Sequence, residues 1–121
     1  MSTLSDGIKG KKKVNVTSRT LDSFKLNNVD GIKIDVEGYE LQALKGSIKT
    51  ISDHKPWLVI ELNNTFHKIQ KIIEWDVYQY LSKFDYTTSF ALNRKLNFGY
   101  CGDVVFFNSK NTKIKKFEPF L

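Results

Sequence analysis

The sequence predicts an α/β protein: an open sheet of parallel strands with helical crossovers and an antiparallel edge hairpin. Three observations carry this. The segments Ile32–Val36 and Trp57–Leu62 are largely apolar, as strands covered on both faces are. Apolar residues between and after them recur at helical spacing, so the first two strands are joined by a crossover and lie parallel, with the usual right-handed connection. Two later strand-like stretches have no helix between them, so they should pair antiparallel at one edge, giving the sheet a reversed edge strand.

In chain order, residues 1–13 are rich in Ser, Gly, Asp and Lys and read as a flexible basic lead-in. Val14–Thr20 alternates apolar and polar side chains, consistent with a short strand. Asn27-Asn28 marks a turn. Ile32–Val36 is entered through Asp30-Gly31 and left through Glu37-Gly38, both turn signals. Leu41, Leu44, Ile48 and Ile51 then predict one amphipathic helix over Tyr39–Ile51, weakened by Gly46 inside it. Pro56 resets the chain before Trp57–Leu62. Thr65 is placed to cap a second helix whose apolar face, Phe66, Ile69, Ile73, Val77, Tyr80 and Phe84, runs to about residue 84. Tyr86–Leu92 and Val104–Phe107 complete the strands, with Gly99 and Gly102 in the loop between them. Residues 110–121 form a basic tail, which leaves 14–109 as the folded unit.

The chain has 121 residues, 40% hydrophobic and 26% charged, enough for one core. Its net charge of +6 resides at the ends. Residues 1–20 carry five cations against Asp6, and residues 110–121 carry four lysines against Glu118, so residues 21–109 are close to neutral. A basic face interleaved with stacking aromatics, as nucleic-acid binding requires, is not formed. Cys101 is the single cysteine, which excludes an internal disulfide and a multi-cysteine zinc site. No apolar run reaches signal-peptide or membrane-span length, and a cytoplasmic protein is expected.

The element order comes with a specific series of words. These are Thr20-Leu21-Asp22-Ser23-Phe24, Ile32-Lys33-Ile34-Asp35-Val36-Glu37-Gly38-Tyr39-Glu40, Leu44-Lys45-Gly46 and Lys55-Pro56-Trp57-Leu58-Val59-Ile60-Glu61, closed by Gly102-Asp103-Val104-Val105-Phe106-Phe107. As an ordered set over residues 14–108 they resemble the FkbM family of S-adenosylmethionine-dependent methyltransferases. The resemblance implies a partial Rossmann-like class I methyltransferase sheet, with these strands as the fourth to seventh of seven. It also implies S-adenosylmethionine as cofactor and O-methylation of a sugar or small-metabolite hydroxyl. One departure stands out. Family members carry a Gly-rich strand-to-helix turn followed by a ribose-binding acid, and no G-x-G occurs in this chain. The chain is therefore expected to correspond to the family's C-terminal half and to bind the cofactor negligibly alone.

Ligands of open α/β sheets gather at the carboxyl ends of the strands. Asp35 and Glu37 leave the first main strand there, and two residues apart on an extended backbone they would face one crevice. Glu61 ends the next strand, with Asn63 just after it. One of Asp35, Glu37 and Glu61 could deprotonate a substrate hydroxyl while the others and Asn63 hold the substrate. Alternatively Asp35, Glu61 and Asn63 could hold a divalent ion such as Mg²⁺, as at the same strand ends in some other O-methyltransferases. A purely structural role, capping the following helix, is the competing reading. His54 and His67 lack ligand spacing and read as surface residues, and Cys101 as a packed thiol.

Two functional classes follow. One is a methyltransferase acting on a hydroxyl acceptor when a cofactor-binding half is supplied. The other is a non-catalytic module that pairs with a second copy or another chain through its open sheet edge. Ile32–Val36 is the apolar strand left at that edge, to be covered by Val14–Thr20 folding back or by another molecule.

Overall fold

The computed structural model of the chain describes Ser2–Leu4 and residues 15–111. Of the expected lead-in, Ser2–Leu4 form a strand, β1, and the rest lies outside the described residues, as do residues 112–121 of the expected tail. β1 pairs antiparallel with β2, Val16–Ser18. These two make a sheet of their own, so the described part of the expected Val14–Thr20 strand does not pair with Ile32–Val36.

The main sheet has four strands: β3 (Gly31–Ile34), β4 (Trp57–Asn63), β5 (Tyr86–Thr88) and β6 (Cys101–Asn108). Their spatial order is β3-β4-β6-β5. β3 and β4 run parallel, with Ile34 opposite Ile60, and β6 is antiparallel to both β4 and β5. The expected parallel pair and antiparallel hairpin are both present. The reversed strand itself is not at the edge, however. β6 enters between β4 and β5, leaving β5 as one edge and β3 as the other. The driving force is burial: Val104 and Phe106 in β6 are among the most buried side chains, and an inner strand covers them where an edge strand would not.

Alternation along the strands sorts the two faces. Leu58, Ile60, Leu62, Val104 and Phe106 join Ile34 in one core with Leu44, Ile51, Val77 and Leu81 from the helices. Every described helix that contributes to the core therefore packs on this face. The intervening residues, Val59, Glu61, Asn63, Cys101, Asp103, Val105 and Phe107, take the opposite face. Tyr86, buried in the core, donates its hydroxyl to the carbonyl of Pro56 at 2.7 Å and ties β5 to the start of β4.

The two expected helices are both broken, for different reasons. The first divides into α1 (Glu40–Lys45) and α2 (Ile48–His54) at Gly46. A Cβ at Gly46 would lie 3.2 Å from Thr20 Cγ2, so glycine lets the Leu21–Phe24 turn approach the break. Asp22 fills the gap: its backbone N–H donates to the Gly46 carbonyl, and its carboxylate accepts from the Lys49 and Thr50 amides and the Thr50 hydroxyl at 2.8–3.0 Å. These bonds satisfy the orphan N–H groups of α2 from 28 residues away. They hold the Asp22 carboxyl below the ordinary aspartate range, against the opposing, largest single effect of partial burial.

The second helix divides into α3 (Asn64–His67), a 3-10 turn at Ile72–Glu74 and α4 (Asp76–Ser82). Asn63, not Thr65, caps α3, accepting from the Thr65 amide at 3.0 Å. Buried Asn64 then brackets the exit, with its amide donating to the Ile69 carbonyl and its oxygen accepting from the Ile69 N–H. That pair of bonds competes with helix continuation and releases the chain to run beside Lys95 and Leu96.

Candidate functional site

Strand β3 ends at Ile34, one residue earlier than Asp35. Ile34 is buried on the helical side, so Asp35 emerges on the opposite side, the one that Glu61 takes from β4. With Ile34 opposite Ile60, the next residues, Asp35 and Glu61, lie side by side. β6 completes the group. Its register sets Asp103 opposite Glu61 and Cys101 opposite Asn63. The Cys101 thiol donates to Glu61 Oε1 at 3.1 Å.

The electrostatics follow from this arrangement. Asp35, an acceptor for the Glu61 proton, raises Glu61 above the ordinary glutamate range, while the Cys101 bond opposes the rise and the charges of Asp35 and Asp103 add to it. The hydrogen bond to Glu61 in turn pushes the Cys101 thiol up, since an anionic sulfur beside that oxygen would lose the bond and meet a like charge. A carboxylate whose affinity for a proton is raised in this way can accept one from a substrate hydroxyl and pass it on.

Glu37 does not join the group. Its φ of 42° and that of Gly38, 96°, turn the backbone out of the strand, so the alternation that would have aligned Glu37 with Asp35 ends at Val36. Glu37 is exposed. Asn63 stays close by register, but its side-chain oxygen is engaged as the α3 cap. The metal reading is not supported: the described residues contain no group of three or more His, Cys, Asp or Glu able to hold an ion. Cys101 is exposed rather than packed. His54 is tied to the Leu26 carbonyl at 3.0 Å, and His67 is not a surface residue, its side chain being 13% exposed against Glu40.

Cys101 and Asp103 were not legible as site residues because their membership depends on a strand register set 40 residues from Glu61. The alternation of Asp103, Val105 and Phe107 was the available signal, but it could not say which strand they face. A separate cleft of about 990 Å³ lies between the Ser18–Leu21 segment and α1. Arg19, Phe24, Val36, Tyr39 and Gln42 line it, with the Arg19 guanidinium 4.4 Å from the Phe24 ring centre. Asp35, Glu37 and Glu61 are not among its lining residues.

Among the described residues, no helix is long and apolar enough to cross a membrane. Comparison with curated proteins and with solved structures finds no match in either. Comparison with family models matches residues 2–98 to the methyltransferase FkbM domain. That span holds the Thr20–Phe24, Ile32–Glu40 and Lys55–Glu61 segments, and with them Asp35 and Glu61. The chain belongs to the FkbM methyltransferase family.

Proposed function

We propose that this chain supplies the acceptor side of an S-adenosylmethionine-dependent O-methyltransferase, with the Asp35–Glu61 pair taking the proton from a sugar or small-metabolite hydroxyl. The observation that carries this is the adjacent carboxyl pair near the ends of two parallel strands, in a chain of a methyltransferase family. A raised Glu61 is a stronger base than an ordinary carboxylate, and it is half-buried beside the exposed Asp35 and Asp103, which leaves it within reach of an acceptor. Asp103 and Cys101 keep Glu61 oriented across the β4–β6 ladder. The strand order β3-β4-β6-β5 supports reading the sheet as part of a Rossmann-like methyltransferase fold.

The described residues do not by themselves fit S-adenosylmethionine. Its binding in this fold needs backbone exposed at a Gly-rich strand-to-helix turn. The β3-to-α1 connection has one glycine, Gly38, and the Phe66 ring lies 3.4 Å from where its Cβ would be. The β4-to-α3 connection has none. No step through the cofactor is derived from this chain, and its own residues act on the acceptor alone.

The test is transfer of labelled methyl from S-adenosylmethionine to a panel of glycosides, by the chain alone and with an FkbM cofactor-binding half added in trans. Labelled product should require both parts. Asp35→Asn and Glu61→Gln should then lower turnover by roughly 10²–10⁴-fold, the range for loss of a general base. Unchanged turnover in both would refute the assignment. A second reading, pairing through the open edge, is favoured by the absence of a described strand beside β3. Concentration-dependent sedimentation abolished by Ile32→Lys would support it.

A further inference from the structure

A polar contact on the far side of the sheet bears on the carboxyl pair. Glu40, the first residue of α1, is 1% exposed, and neither of its carboxylate oxygens makes a hydrogen bond. His67, the last residue of α3, places Nε2 3.5 Å from Glu40 Oε1, and that nitrogen makes no hydrogen bond either. The His67 ring meets Trp75 edge-on at 6.0 Å, and Trp75 meets Phe106 of β6 at 5.9 Å. A carboxylate buried without hydrogen bonds is costly, and an opposite charge is what offsets it.

We propose that Glu40 and His67 are a positioning pair, clamping the connections that leave β3 and β4 so that Asp35 stays beside Glu61.

The reason lies in where the backbone ladder stops. The β3–β4 register ends at Ile34 opposite Ile60. Glu61 is still held beyond that point by Asp103 of β6, but Asp35 has no ladder partner. Its place is set by the turn that follows, where the Tyr39 amide donates to the Val36 carbonyl, and by the seat of α1. Leu44 and Glu40 are the buried residues of α1, and Glu40 is the one next to that turn. Its contact with His67 joins α1 to the helix that begins directly after β4. One side-chain pair therefore lies on each face of the sheet at the same strand ends, and the buried one constrains the exposed one. The functional importance of this pair rests on the base role proposed above for Asp35 and Glu61. The geometric claim does not.

The test follows the Glu61 side-chain carboxyl carbon by NMR through a pH titration of the full chain. Asp35, Cys101 and Asp103 are the titratable groups that face it. Glu40→Gln and His67→Gln should each lower the Glu61 midpoint toward the ordinary glutamate range, because Asp35 moves away. Tyr86→Phe, at the opposite end of β4, weakens the fold without touching this clamp and should leave the midpoint where it is. Where a single variant does not fold, the double variant Glu40→Met/His67→Leu removes the polar contact without stranding one partner, and the same fall is expected. A Glu61 midpoint unchanged in the folded variants, or lowered equally by Tyr86→Phe, would overturn the proposal. Since the titration needs no methyl transfer, its outcome is independent of whether the base role holds.

Discussion

Replacing Asp22 by alanine tests whether a distant carboxylate builds the helix break. In the folded chain Asp22 accepts from the Lys49 and Thr50 amides and the Thr50 hydroxyl at 2.8–3.0 Å. Removing a side-chain cap costs roughly 0.5–2 kcal/mol. Three accepted bonds favour the upper half of that range, and partial exposure to water pulls the figure back, so about 1.5 kcal/mol is expected. For a domain of this size that corresponds to a Tm lower by about 6 °C, at about 4 °C per kcal/mol. The effect has a sign in pH. The folded carboxyl lies below its ordinary value of 3.8, so its contribution is full above that pH and disappears as pH falls through the folded value. Thermal unfolding followed by circular dichroism should show the gap between wild type and Asp22→Ala at pH 7 narrowing towards pH 2. Asp53→Ala, an exposed change in the same helix, should leave Tm unchanged. Equal melting of wild type and Asp22→Ala at pH 7, or a gap that persists unchanged at pH 2, would refute the reasoning.

Glu61→Gln should lower the Cys101 thiol toward its ordinary value, because the carboxylate that raises it is gone, and iodoacetamide should then label Cys101 faster at pH 7.5. An unchanged labelling rate would contradict the 3.1 Å contact. Tyr86→Phe should cost about 1–3 kcal/mol in urea unfolding, since it strands the Pro56 carbonyl. Burial raises the Tyr86 phenol, so its contribution is full below the unfolded tyrosine value of roughly 10 and is lost as pH rises above it; Tyr86→Phe should lack that alkaline loss. Gly31→Ala would put a Cβ 2.1 Å from the Trp57 ring, so the ring must move. A shifted Trp57 emission and a loss of about 1–3 kcal/mol are expected, the usual cost of overpacking.

Local pattern was enough for much of this molecule. Apolar β-branched runs bounded by Gly and Pro placed β3 and β4, and the helical spacing between them implied the parallel pair that forms. The strand ends followed from the same runs to within two residues, close enough for Asp35 and Glu61 to be singled out without coordinates. Everything that depended on distant contacts escaped. Gly46 ends α1 because Thr20 and Asp22 reach it from another segment, and a hydrophobic period contains no information about that approach. The site gained Cys101 and Asp103 through the β4–β6 register, and a strand's own alternation says which residues share a face but not which strand that face meets. Glu37 left the site because a left-handed backbone at two successive residues ended the alternation early. His67, read as a surface residue, instead lies mostly covered against the buried carboxylate of Glu40. Residue type sets the cost of burying a group, and only the tertiary structure, by supplying the partner, decides whether that cost is met.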